Sequence, residues 1–179
     1  MIVPQNRLLF WAGVVLVPFL FLAIAFGPGA AVELPGFGQI EQVAGPLAWT
    51  VVGIFVVLAA LDAVAGLNRL DGVSAACPDI VRFSKGREGD IPVLIDNKGG
   101  RIRRIRLGLP LPRSFRSEKE DLRARLPEGG ATSQVSWVCT PLERGSYRMD
   151  AVYLETPSLL GFWAIRKPSP IATELRVYP

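Results

Sequence analysis

The sequence predicts an α+β membrane protein, a two-helix transmembrane hairpin followed by an all-β immunoglobulin-like sandwich, on three observations. Two long apolar runs lie within residues 1–70. The segment between them carries no Lys or Arg, whereas of the 20 basic residues all but Arg7 lie at or after Arg69. From residue 71 to 179 the composition changes to charged, β-branched and turn-forming residues, with Gly or Pro recurring at short intervals.

The hairpin helices are expected over residues 8–26 and 47–67, both almost wholly apolar, with one interruption at Asp62. About 20 helical residues cross a hydrocarbon core of about 30 Å, so each run is long enough. Lys and Arg are retained on the cytoplasmic side, which places the connecting segment outside and both termini in the cytoplasm. A cleaved secretory signal is the competing reading of the first run, but the run is longer than an ordinary signal core. Even so, the second run would bring the chain back in. Trp11 and Trp49 stand near helix ends, where amphipathic rings suit the membrane interface. Pro18 removes a backbone donor and predicts a kink. Ala59, Ala63 and Gly66 predict close approach of the first helix. Asp62 has two readings: a proton or ion ligand inside the membrane, or a carboxylate about two turns from Arg69 that reaches interfacial water.

In the second domain, 71–179, strands are expected at 80–83, 91–95, 102–109, 121–126, 134–140, 146–156, 162–165 and 172–178. That number and spacing suit an immunoglobulin-like sandwich. Asp96-Asn97-Lys98-Gly99-Gly100 is strong turn chemistry and predicts that 91–95 and 102–109 form a hairpin. Residues 113–120 read as a polar loop. Trp137 is the leading core anchor, since its ring removes a large area from water. A disulfide between Cys77 and Cys139 would suit the spacing of an immunoglobulin domain. Against it, a cytoplasmic domain keeps its thiols reduced, and Trp137 sits beside the second cysteine rather than on an intermediate strand. Free thiols are therefore expected.

The chain has no histidine, which removes the commonest general base and metal ligand. It has no phosphate-binding or dinucleotide fingerprint and no paired-cysteine metal motif. No cofactor or metal is expected. Residues 86–90 resemble an anion or calcium loop only superficially and read as a turn. Arg101, Arg103, Arg104 and Arg106 form the densest basic cluster, suited to anionic headgroups near a tethered domain or to a solvated, protected edge. No interleaved aromatics support stacking on bases, so nucleic acid is not expected as a partner.

Towards the end, Thr140-Pro141-Leu142-Glu143-Arg144-Gly145-Ser146-Tyr147-Arg148 reads as a strand end, a turn at Arg144-Gly145 and a new strand near Tyr147. Gly145 is expected at positive φ with the Tyr147 ring packed inward. Ser158-Leu159-Leu160-Gly161-Phe162-Trp163 follows as an apolar turn, and the chain reaches Val177-Tyr178-Pro179 on a strand. Two adjacent membrane helices, a cytoplasmic β-rich segment, Pro-Leu-x-Arg-Gly-x-Tyr, an apolar Gly turn and Val-Tyr-Pro together resemble the amino-terminal region of the bacterial domain of unknown function 58 family. Leu159 stands where that family often has Pro. The resemblance implies a bacterial cytoplasmic (inner) membrane protein. It also implies a von Willebrand factor A-like module after Val-Tyr-Pro, absent from these 179 residues, and a MoxR-type AAA+ ATPase partner.

The expected function is a non-enzymatic membrane anchor and β-sandwich scaffold that positions such a module and ATPase at the inner membrane. The alternative is a lipid- or envelope-sensing module. Candidate contacts for lipid or a partner are Arg101, Arg103, Arg104, Arg106 and Arg144, and Gly145, Tyr147 and Gly161 are structural turn residues.

Overall fold

The computed structural model describes residues 1–25, 38–100, 102–127 and 132–179, with backbone alone over 38–44. The chain divides into a helical unit of Ile2–Leu67 with Pro157–Ala164, and a β unit of Met1, Asn68–Thr156 and Ile165–Pro179.

The helical unit opens with β1 (Ile2–Pro4) and then α1 (Asn6–Trp11), a π-helical turn (Ala12–Leu16) and α2 (Val17–Ala25), which together form one continuous helix. The wide turn lies just before Pro18. A proline cannot donate to the carbonyl four residues back, and a local change to i→i+5 bonding accommodates the lost bond. The second helix, α3 (Gly38–Gly66), begins nine residues earlier than the apolar run suggested, and Pro46 lies inside it. Thr50 Oγ1 donates to the Pro46 carbonyl at 2.8 Å. Asn6–Ala25 and Gly45–Gly66 are long and apolar enough to cross a membrane. Their outer faces are bare: Phe21 is 72% exposed and Val64 65%. A soluble core helix would bury such residues. Ala23 and Ala48 are buried, small side chains that let two backbones approach closely.

The β unit is a two-layer sandwich. Its strands are β2 (Val73–Ala76), β3 (Ile80–Ser84), β4 (Gly89–Asn97), β5 (Arg104–Gly108), β6 (Phe115–Arg116), β7 (Leu122–Arg125), β8 (Ser133–Pro141), β9 (Gly145–Pro157) and β10 (Trp163–Tyr178). One sheet runs β2-β4-β8-β6 and the other β10-β9-β5-β7, with β3 parallel to β10. These orders correspond to the A-B-E-D and G-F-C-C′ sheets of an immunoglobulin domain, except that β6 precedes β7 in the chain. Alternating inward residues fill the core: Ile91, Val93 and Ile95 on β4, Ile105 and Leu107 on β5, Val152 and Leu154 on β9. Trp137 on β8 is buried opposite Ile91, and its indole donates to Ser117 Oγ at 3.1 Å.

Four expectations are corrected. First, β4 and β5 are not a hairpin. β4 pairs with β2 and β8, so both its edges are taken, and the turn after Asp96 carries the chain to the other sheet. Buried Asn97 holds that turn, donating from Nδ2 to the Ile102 carbonyl at 2.9 Å. Second, the expected strands at 162–165 and 172–178 are one strand, β10, which starts at Trp163. Pro168 and Pro170 are exposed, and between them buried Ser169 accepts from the Ala75 N–H at 2.9 Å and donates to the Ala75 carbonyl at 3.0 Å. Its hydroxyl thus satisfies backbone groups on the free edge of β2, in the other sheet. Third, the polar segment 113–120 contains β6, where buried Phe115 contacts Phe83 edge to face at 5.5 Å. Fourth, β2 was absent from the expected strands, because four small residues give no periodic signal.

Both cysteines are free, Cys139 on β8 and Cys77 just after β2. The immunoglobulin disulfide joins the B and F strands, here β4 and β9, and neither carries a cysteine. Burial pushes the Cys77 thiol up and, with Asp90 adding to it, the Cys139 thiol up to about 11, which disfavours the nucleophilic thiolate form.

Candidate functional site

Three clusters carry the residues with chemistry. The first lies within the helical unit. Phe55, Ala59, Asp62 and Gly66 share one face of α3, at helical spacing. Against that face sits the turn of residues 158–163. The Asp62 carboxylate, 3% exposed, accepts from the Ser158 hydroxyl at 2.6 Å, the Leu160 N–H at 2.9 Å and the Phe162 N–H at 3.2 Å. The Trp163 indole donates to the Ala59 carbonyl at 2.8 Å, and the Phe55 and Phe162 rings lie 5.9 Å apart. The Gln5 N–H donates to the Phe162 carbonyl at 2.9 Å. Gly161 has φ 78°, and a Cβ there would lie 3.3 Å from the Arg7 guanidinium. A side chain would therefore meet both strain and crowding.

Asp62 is thus neither water-exposed nor open to an ion. Its two oxygens are committed to holding a turn, and the small residue Ala59 lets the Trp163 indole reach the helix backbone. Ser158 and Trp163 were not expected in this role. The signal was present as an apolar Gly turn and a single acid within the second apolar run, about a hundred residues apart in sequence, and no local pattern links them.

The second cluster is the β8–β9 turn. Gly145 has φ 150°, the Tyr147 ring is half-buried edge to face on Phe115 at 5.3 Å, and its hydroxyl lies 3.4 Å from the carbonyl oxygens of Glu143 and Arg144. A tyrosine at the start of the F strand that bonds back to upstream backbone is the tyrosine corner of immunoglobulin domains. Pro-Leu-x-Arg-Gly-x-Tyr therefore reads as a corner, with the Arg144 side chain exposed. A Cβ on Gly145 would touch the Tyr147 ring at 3.4 Å. Gly145→Val is expected to cost about 1 kcal/mol or more, lowering the thermal midpoint of the β-sheet signal by about 4 °C. An unchanged midpoint in circular dichroism of the full chain would remove the corner from the stability account.

The third cluster is basic. Arg101 lies outside the described residues. Arg103 is exposed in the bend before β5, and Arg104 and Arg106 point outward from β5. Arg144 belongs to the β8–β9 turn and is not part of this group. Instead β7 supplies the missed members: Arg104 pairs with Arg125 and Arg106 with Arg123. Asp121 and Glu155 engage Arg106, Glu155 through Nη1 at 3.2 Å, and Glu155 also holds Arg166 at 2.7 Å. The alternation of Arg123 and Arg125 on a short strand was the available signal, but only the pairing of β7 with β5 joins the two pairs.

No family model and no curated protein matches the chain. Among solved structures, the CARDB domain of a Pyrococcus furiosus protein, in complex with di-metal ions, is similar at 12% identity, covering 59% of this chain and 91% of that one, with a TM-score of 0.36. Murine CRIg is similar at 16% identity, covering 60% and 98%, with a TM-score of 0.33. Both scores are below 0.5, and the sandwich assignment rests on strand order and pairing.

Proposed function

We propose that the chain is a non-enzymatic anchor and scaffold: the helices cross the bacterial inner membrane with both termini in the cytoplasm, and the sandwich presents a surface for a partner. The observation that carries this reading is the commitment of Asp62, the one acid in either candidate span, to the turn of residues 158–163. A charge in a membrane helix is costly, and here it is spent on stitching the β9–β10 connection to the helix rather than on a transport path. Asp62 lies four residues before Gly66, about 6 Å along the axis, which suits the interfacial layer, and exposed Leu159 and Leu160 suit it too. The resemblance to the domain of unknown function 58 family supplies the partners in this reading, a von Willebrand factor A-like module and a MoxR-type AAA+ ATPase.

Reporter fusions test the topology. A fusion after Tyr178 is expected to be active only as a cytoplasmic reporter, and one near Phe37 only as a reporter that works outside, because the basic residues set orientation. Alkaline phosphatase activity at the Tyr178 fusion would overturn the anchor reading.

A further inference from the structure

On the outer face of the sheet that ends in β7, four arginines stand in two directly opposed pairs, Arg104 with Arg125 and Arg106 with Arg123. Like charges directly across a strand pair destabilise it. Only one of the four is answered: Asp121 and Glu155 engage Arg106, while among the described residues no carboxylate pairs with Arg104, Arg123 or Arg125. All three are exposed. Charge on an edge strand deters strand addition, and the arginines of β7 would suffice for that. The opposed residue on β5 adds repulsion with no such return.

We propose that Arg104, Arg123 and Arg125 form a docking site for the phosphate groups of anionic lipid headgroups. The inference rests on the anchor reading above. The β unit begins at Asn68, two residues after the candidate span ends at Gly66, so the tether alone keeps it near headgroups. A negative membrane surface attracts basic groups within a Debye length, and guanidinium forks match phosphate oxygens. Leu122 and Ala124 alternate with these arginines along β7 and fall on the opposite face, beside buried Leu107 and Ile105, so they give the arginine face no apolar anchor for a peptide.

The test uses the full chain in nanodiscs of phosphatidylcholine, alone or with phosphatidylglycerol, after carbonate extraction has established that it is membrane-embedded. Extraction into the soluble fraction would overturn the anchor reading and this inference with it. For the embedded chain, phosphatidylglycerol is expected to raise the thermal midpoint at low salt by about 4 °C, an effect lost in high salt. Arg104→Gln/Arg123→Gln/Arg125→Gln is expected to lose that rise while melting no lower than the parent in phosphatidylcholine, since repulsion is relieved. Arg144→Gln should keep the full response. The docking site is overturned, with the anchor reading intact, if the parent ignores phosphatidylglycerol or the triple variant responds equally. Polyglutamate raising the midpoint where phosphatidylglycerol does not would overturn the lipid assignment in favour of an acidic protein, and inorganic phosphate matching phosphatidylglycerol would overturn it in favour of a free anion.

Discussion

Asp62→Ala is expected to release the turn of residues 158–163 from α3. Three donors converge on this carboxylate, the Ser158 hydroxyl and the N–H groups of Leu160 and Phe162. A hydrogen bond to a charged group contributes about 1.5–3 kcal/mol, and three with shared geometry do not add fully, so the expected loss is about 3–5 kcal/mol. Alanine leaves all three donors without a partner in a place where water is scarce. Hydrogen exchange at the Leu160 and Phe162 amides should accelerate by about 100-fold or more, read by mass spectrometry on the full chain in nanodiscs. Asp62→Asn keeps an acceptor oxygen but turns an NH₂ group toward the donors, so it should fall between parent and alanine. Exchange unchanged in Asp62→Ala would mean that apolar contacts alone, Phe55 on Phe162 among them, hold the turn.

Trp137→Ala is expected to undo much of the sandwich. The side chain is fully buried in β8, against Ile91 of β4, and its indole is bonded to Ser117. Removing a large buried aromatic costs about 3–5 kcal/mol, against a total of about 5–15 kcal/mol for a typical domain. Trp137→Phe keeps most of the buried area and loses the indole donor, at a cost of about 1–2 kcal/mol. Denaturant titration of the full chain, followed by the β-sheet circular dichroism signal, should rank parent, phenylalanine and alanine in that order. Equal midpoints for parent and alanine would place the core elsewhere.

What was legible in the sequence was what depends on near neighbours. Two helices long and apolar enough to cross a membrane follow from runs of apolar residues, because composition over about 20 positions decides that alone. A β-rich second unit follows from alternation and frequent breakers. Trp137 as a core residue follows from size and surroundings. Strand partners were less accessible: a good turn at residues 96–100 looks like a hairpin until β2 and β8 occupy both edges of β4, and Pro168 and Pro170 look like breaks until Ser169 bonds Ala75 across the sandwich. The tyrosine corner was half legible, since the glycine turn is local whereas Phe115, on which Tyr147 rests, is not.

The sequence alone determined where apolar, charged and turn residues lie, and with them the class of each unit, because burial and backbone preference act on each residue and its neighbours. Only the tertiary structure decided what the polar residues do. It brought Asp62 to Ser158, and Arg104 and Arg106 opposite Arg125 and Arg123. Hydrogen bonds and charge pairs act over a few ångströms, so their partners are chosen by chain reversals that no local window contains.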